Sequence, residues 1–353
     1  MKRTLITGGA GFIGCHLASR LLAAGHEVTV ADNLHPQVHT EPGLPRALPR
    51  DVRFVPLDVT LGENFTTLFR YFKPDVVVHL AAETGTGQSL TQSRRHTNVN
   101  VNGTACLLDA LHAAGHVPEQ FLLSSSRAVY GEGAWKTAEG AQFYPGCRSR
   151  VQLEKKQWAH RGPRGESAEP VANRADQVFP QPVSVYGATK LAQEHVLSAW
   201  CSAFGSALTV FRCQNVYGPG QSPGNPYTGV LTFFATQAAR KQRLDVYEDG
   251  EIYRDFVHVE DVVSAMAAAL AQPAPGVRTL DLGAGVRSTI LEVARSVSKL
   301  YGIDAPAVSG RYRDGDVRSA WADISLTRAA IGYTPKWKID DGLASLKAWL
   351  ESR

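Results

Sequence analysis

No pair among the five cysteines of this 353-residue chain has the CxxC spacing: Cys15, Cys106, Cys147, Cys201 and Cys213 stand apart, and their number is odd. That argues against a disulfide framework and a zinc ribbon alike, so no metal is expected and a reducing compartment is. No uninterrupted apolar run approaches a bilayer span, and MKRTLITGGAGFIG lacks the apolar core and cleavage site of a signal peptide. The expectation is a soluble, cytoplasmic protein with no membrane partner. Charge of one sign is scarce too: 37 Lys+Arg against 33 Asp+Glu leave +4. So slight and dispersed an excess does not argue for nucleic acid, though it suits an anionic small molecule. Internal repeats and low-complexity tracts are absent. What remains, 44% hydrophobic and 20% charged residues, is the composition of an ordinary globular protein, long enough for one large domain or two sharing an interface.

The first element signals are ordered as strand, turn, helix, strand. Thr4 to Ile6 is apolar, Gly8-Gly9-Ala10-Gly11 turns, Phe12 to Ala24 has helical periodicity closed by Gly25, and Glu27 to Ala31 is a second apolar strand. Further apolar runs at Val52 to Pro56, Val76 to Ala81 and Gln120 to Ser124 alternate with helix-like stretches such as Asn98 to Ala114. This alternation predicts an α/β fold, a doubly wound parallel Rossmann sheet. Residues 133–182 interrupt it, polar and partly basic (Arg148, Arg150, Lys155, Lys156, Arg161, Arg164). They read as a solvated surface excursion or as a lid over the site. Ser184 to Phe204 is helical and Leu208 to Arg212 a strand; beyond Tyr217 short mixed elements follow. The expected division is residues 1–185 as dinucleotide-binding domain, continuing through 186–215, and 216–353 as a smaller mixed C-terminal substrate lobe with segments returning to the first domain.

Gly8, Gly11 and Gly14 form GxxGxxG after a strand and at a helix start. Glycines there permit a tight turn, close approach of backbone to a pyrophosphate, and close helix packing, while the helix N-terminus favours the anion. Asp32 ends the second strand 18 residues after the last glycine, where a carboxylate can accept from both adenosine ribose hydroxyls. Its charge would repel a 2′-phosphate, and Asn33 and Leu34 rather than an arginine follow it, so NAD is favoured over NADP. Asp58, after another strand signal, is a candidate for the adenine edge or a turn residue.

Tyr186 and Lys190 stand i, i+4 at a helix start in YGATK, which places both on one face. An ammonium there can lower the proton affinity of the phenol and make it a base near neutral pH. Ser124-Ser125-Ser126 follows an apolar run at the carboxyl edge of the expected sheet, where a hydroxyl can hold a reacting oxygen.

Taken in order, TGGAGFIG, Asp32, HLAA from His79, NGT from Asn102, SSSRAVYG and YGATK resemble the extended short-chain dehydrogenase/reductase superfamily, in its nucleotide-sugar epimerase/dehydratase branch. The likeness covers nearly the whole chain. It implies Tyr186 as base, Lys190 as its tuner and nicotinamide-ribose ligand, and Ser126 as the hydroxyl bridging sugar oxygen and tyrosine. It implies an NAD site lined by Gly8, Gly11, Phe12, Ile13, Gly14, Asp32, Asn33, Asp58, Val59, Leu80, Ala81, Ala82, Asn100, Ser124, Tyr186 and Lys190. A nucleotide-diphosphate sugar would meet Asn215, Arg254, Arg313 and Asp316, and Thr84 and Thr86 either bind sugar hydroxyls or cap a turn. A homodimer is implied as well, paired through the Asn98–Ala114 and Ser184–Phe204 helices.

Dehydratases of the branch carry Thr-Asp-Glu before Val-Tyr-Gly, and related decarboxylases a Glu; this chain has Ser126-Arg127-Ala128. Without a carboxylate there, the resemblance implies redox at a sugar hydroxyl, with 4-epimerisation foremost. HLAAETGTGQS, SSSRAVYGEG, the basic excursion and GNPYTGV are most similar to enzymes that interconvert dTDP-L-rhamnose and dTDP-6-deoxy-L-talose. Ala320, at a position that gates the C2 substituent in UDP-sugar epimerases, keeps a UDP-hexose or UDP-N-acetylhexosamine substrate open. A one-way NAD(H)-dependent dehydrogenase or reductase and a non-catalytic dinucleotide sensor are further alternatives.

Overall fold

A computed structural model describes residues 1–225 and 229–353. Three residues of the GNPYTGV stretch, 226–228, lie outside the described ones.

Seven strands form one parallel sheet: β1 (Arg3–Thr7), β2 (Glu27–Asp32), β3 (Arg53–Pro56), β4 (Val76–His79), β5 (Gln120–Ser126), β6 (Ala207–Cys213) and β7 (Val277–Leu282). Their order is β7-β6-β5-β4-β1-β2-β3, so the direction of winding reverses between β1 and β4. At such a switch the two connections leave to opposite faces and open a crevice beyond the carboxyl ends of the strands. Register brings Thr7 opposite both Ala31 and His79, and Ser126 opposite Cys213, along that edge.

The strands are apolar without interruption because both faces are covered. Ile6, Val30, Val76, Val78 and Leu122 pack into one core with helices Phe12–Ala23 and Val259–Ala271. Their strand neighbours Leu5, Val77, Phe121 and Leu123 point the other way, into a core shared with helices Gly62–Tyr71, Gly103–Ala113 and Val185–Phe204. Fully burying such a side chain contributes roughly 1.5–3 kcal/mol. A third core gathers residues of helices Val230–Ala239, Ile290–Tyr301 and Ile339–Glu351.

Two expectations change. The Asn98 to Ala114 stretch is not a single α-helix: a π-helical segment, Asn98–Asn102, precedes the α-helix Gly103–Ala113. A competing set of side-chain bonds accompanies it. Asn100 binds the backbone of Glu83 in both directions (2.8 and 3.1 Å) and donates to Thr189 Oγ1 (2.9 Å). Gly103 sits so close to Val59 that a Cβ would come within 2.7 Å of its Cγ2.

The 133–182 excursion, for its part, is neither wholly solvated nor unstructured. Trp135–Thr137 pairs antiparallel with Gln142–Phe143 and with Ala168–Pro170. Arg148, expected on a solvated face, is buried: it donates to Glu248 Oε2 (2.7 Å) and to the Asp316 carbonyl (2.8 Å). Burial of a guanidinium requires such partners, and they lie about a hundred or more residues away. Arg150, Lys155, Lys156, Arg161 and Arg164 are exposed as expected.

Candidate functional site

The glycine turn is built by contact with the next strand end. Gly8 adopts φ +67°, and a Cβ on it would meet the Ala81 nitrogen at 2.6 Å. At Gly14 a Cβ would meet Gly9 Cα at 2.5 Å, so the helix can approach the turn only without side chains. Gly11 caps the Phe12–Ala23 helix and brings no side chain to its first amides, leaving these donors to an incoming anion. Asp32 is clamped beside the turn, its Oδ2 accepting from the Ala10 amide (3.1 Å) and its Oδ1 from that of Leu34 (2.9 Å). These features fit a dinucleotide: a cradle that any Cβ would fill, open amides, and a carboxylate with lone pairs to spare.

Around them opens a cleft of ≈ 470 Å³ at the strand carboxyl ends. Its wall contains Gly8, Gly11, Phe12, Ile13, Gly14, Asp32, Asn33, Asp58, Val59, Leu80, Ala81, Ala82 and Ser124 on the dinucleotide side, with Thr84, Thr86, Ser126, Tyr186, Lys190 and Asn215 beyond. Neither Thr84 nor Thr86 uses its hydroxyl to cap a turn among the described residues. Asp58 does make a turn, accepting from Thr60 N (2.9 Å) and Oγ1 (2.7 Å), and it also receives Asn33 Nδ2 at 3.2 Å; these donors hold its carboxyl below the usual range, against its burial.

The expected cofactor and substrate set is thus not all brought together. Asn100 is fully buried behind the wall, and Arg254, Arg313 and Asp316 lie outside the cleft lining. Arg254 donates to Asp316 Oδ1 at 2.6 Å and to its neighbour's carbonyl, and Arg313 stacks over Tyr247. Ala320 is buried in a short strand outside the lining. The wall also holds residues that sequence reasoning passed over: His35, Gln37, His39, Glu83, Arg95 and Arg127. Arg127 was visible as the residue replacing a carboxylate, and His39, 3.8 Å from Asp32, carried no local signal.

Ser126 and Tyr186 meet through two caps. Ser126 Oγ accepts from Ala128 N (3.1 Å) to start the Arg127–Tyr130 turn, and Ser184 Oγ accepts from Gly187 N (3.1 Å) to start the Val185–Phe204 helix. Gly187 lets the two starts touch, since a Cβ would lie 2.5 Å from the Ala128 carbonyl oxygen. With one lone pair committed to Ala128, the Ser126 hydroxyl hydrogen is left to be given into the cleft, whose wall it shares with Tyr186. Burial pushes the Tyr186 phenol up; the nearby Ser126 hydroxyl and the Arg127 charge act downward, and Cys213 upward.

Lys190 differs from expectation. Its ammonium is turned to the Gln193 side-chain oxygen, and Gln193 in turn donates to Thr104 Oγ1 at 2.9 Å. Burial pushes Lys190 down to about 8 against the pull of Cys213 and Glu194. Behind Ser125, Glu194 and Arg212 form a buried pair at 2.8 Å.

The model of the NAD dependent epimerase/dehydratase family matches residues 4–147 and 162–283. The chain belongs to this family. Among curated relatives, a dTDP-L-rhamnose 4-epimerase of Burkholderia thailandensis is 47% identical over 349 residues, which cover 99% of this chain and 95% of the relative. Solved family structures superpose along nearly the full length. The UDP-glucose 4-epimerase of Thermotoga maritima with UDP-glucose has a TM-score of 0.79 at 28% identity, and that of Thermus thermophilus with NAD has 0.77 at 30%, each covering 99% of both chains. As an NAD-dependent family member the chain has the doubly wound Rossmann sheet its sequence implies. Among the described residues no helix is long and apolar enough to cross a membrane.

Proposed function

We propose that this family member is an NAD-dependent nucleotide-sugar 4-epimerase that interconverts dTDP-L-rhamnose and dTDP-6-deoxy-L-talose. The observation that carries the reaction is the meeting of Ser126 and Tyr186 in the cleft wall, at two capped starts that touch through Gly187, with Arg127 and Ala128 where a water-eliminating enzyme needs carboxylates. The sugar and base are supported by the 47% identical relative that bears that name.

In this reading the glycine turn and the open amides after Gly11 would hold the dinucleotide pyrophosphate, Asp32 would accept from the adenosine ribose, and Lys190, once turned from Gln193, would meet the nicotinamide ribose. NAD bound there supplies a reversible hydride acceptor, so that hydride returned to the opposite face of C4 inverts the centre without an external reductant. Tyr186 removes the O4 proton and gives it back, with Ser126 as the bridge between O4 and the phenol oxygen. Asn215, at the far wall, meets the sugar nucleotide. Arg254 and Asp316, paired with each other, would have to part or turn to reach the diphosphate.

The chain acts in the cytoplasm as a homodimer; the five cysteines are free, and Phe204 is exposed at the end of the expected dimer helix. Sedimentation at micromolar concentration tests this, a monomer refuting it. For the reaction, purified protein is incubated with dTDP-L-rhamnose, UDP-glucose or UDP-N-acetylglucosamine without added NADH, and the sugar protons are followed by NMR. A C4 epimer of dTDP-L-rhamnose is expected. A C4 epimer of a UDP-sugar alone would move the substrate, and net NADH formation would make the protein a dehydrogenase.

A further inference from the structure

Two turns beyond Tyr186 and one beyond Lys190, the same face of the Val185–Phe204 helix carries Glu194. Its carboxylate is buried, and the groups that hold it come from the two strands whose ends form the cleft wall. Leu123 of β5 and Leu208 of β6 pack into the core beneath that helix; side chains alternate along a strand, so Ser125 and Arg212 face the helix too. They are direct partners across the two strands, and the next residues, Ser126 opposite Cys213, stand in the cleft wall. Glu194 closes over the pair. Its Oε1 accepts from the Ser125 hydroxyl and from Arg212 Nε (3.1 Å), and its Oε2 from Arg212 Nη2 (2.8 Å). The same guanidinium lies 4.8 Å from the centre of the Tyr130 ring, and the Tyr130 hydroxyl donates to Asp281 Oδ1 of β7 at 2.8 Å. Tyr130 ends the turn that Ser126 caps.

We propose that Glu194 and Arg212 are positioning residues: their buried pair fixes where the helix start bearing Tyr186 stands against the strand end and turn bearing Ser126. Neither side chain lines the cleft, so both act through others. The inference rests on the epimerase reading for its effect on turnover, and on the geometry alone for the placement. Stability by itself does not call for charges here. Leu197 and Cys201, farther along the helix, already pack into the same core, and an apolar pair in place of the two ions avoids their desolvation. Apolar contact is non-directional, however, and leaves a helix free to slide or turn on its bed. A carboxylate held by three donors from two paired strands cannot shift without breaking charge-assisted bonds. The helix start and the turn are at contact distance, since a Cβ on Gly187 would lie 2.5 Å from the Ala128 carbonyl oxygen. A movement of the helix therefore carries Tyr186 directly against or away from the Ser126 turn.

The test compares the whole wild-type protein, saturated with NAD, with the double variant Glu194→Leu/Arg212→Met, which removes both charges together and leaves neither buried alone. The double variant is expected to fold, to keep the NAD Kd and the KM for dTDP-L-rhamnose within about twofold, and to lose about a hundredfold in kcat, the effect of a misplacement of about 1 Å. Its crystal structure should show the separation of Ser126 Oγ and Tyr186 Oη changed by about that distance from wild type. Glu194→Gln, which keeps the shape and part of the bonding, should fall between the two. Ser125→Ala removes one of the three donors and should lower kcat about tenfold. Wild-type kcat in the folded double variant would reduce the pair to a structural one and overturn the proposal, as would an unmoved Ser126–Tyr186 separation. If the double variant does not fold, Ser125→Ala and Glu194→Gln decide, and wild-type kcat in both overturns it. If wild type converts no nucleotide sugar, the epimerase reading fails, and the crystallographic separation alone upholds or overturns the placement.

Discussion

Taking the pH from 7 to 5 should cost this chain about 2 kcal/mol of stability through His79 alone. The ring is fully buried at the end of β4, with Nδ1 2.6 Å from Thr7 Oγ1 and Nε2 3.0 Å from Thr104 Oγ1. Burial is the main reason its proton affinity falls, to about 3, and the Lys190 charge adds to it. An unfolded histidine titrates near 6.5. Below that pH the unfolded chain takes up a proton that the folded chain refuses, so the stability His79 contributes is fully present above about 6.5 and is lost progressively toward about 3. At pH 5 the unfolded histidine is about 1.5 units below its midpoint, and at about 1.4 kcal/mol per unit the loss is about 2 kcal/mol. The assay is urea unfolding followed by tryptophan fluorescence at pH 7, 6 and 5, for wild type and His79→Gln. At pH 7 the variant is less stable by roughly 1–3 kcal/mol, from hydrogen bonds left unmade. His258, which burial also pushes down, to about 4, acts equally in both proteins and cancels in the comparison. The gap between them should therefore narrow by about 2 kcal/mol on going to pH 5. A gap of the same size at both pH values would refute the reasoning.

Gly8→Ala should weaken NAD binding at least about tenfold by calorimetry, since its Cβ would meet the Ala81 nitrogen at 2.6 Å from a backbone at φ +67°; an unchanged Kd would show that the turn does not carry the cofactor. Tyr186→Phe should lower kcat on the nucleotide sugar by roughly 10²–10⁴ while NAD still binds, the span expected for a lost general base; retained turnover would remove Tyr186 from the reaction. Glu194→Leu leaves Arg212 buried without its carboxylate and should cost about 3–5 kcal/mol in denaturant unfolding. Thr289→Ala removes the Oγ1 that accepts from Glu292 N at the start of the Ile290–Tyr301 helix, leaving only the backbone half of the reciprocal pair, and should cost about 1 kcal/mol by the same measurement.

The dinucleotide half of the cleft was legible in the linear chain because each of its parts is local. A strand must precede the glycine turn, a helix must follow it, and the acid must end the next strand; periodicity and glycine spacing report all three. The Tyr186–Lys190 spacing was equally readable, because helix geometry alone places them on one face. Ser126 was found because an apolar run that ends in hydroxyls can end only at an edge of the sheet.

Pairings across long stretches of chain were decided by the tertiary structure. Lys190 is turned to Gln193 within a set of bonds that runs through Thr104 to His79, which lies 111 positions earlier in the sequence. Arg148 reads as one more solvated charge until Glu248 and the Asp316 carbonyl close around it, and Arg127 reads only as a missing carboxylate until Asn215 holds it in the cleft wall. Spacing along the chain fixes which side chains share a helix face or a strand end. Which charge is buried, and against what, depends on the packing of elements whose separation in sequence carries no signal of their contact.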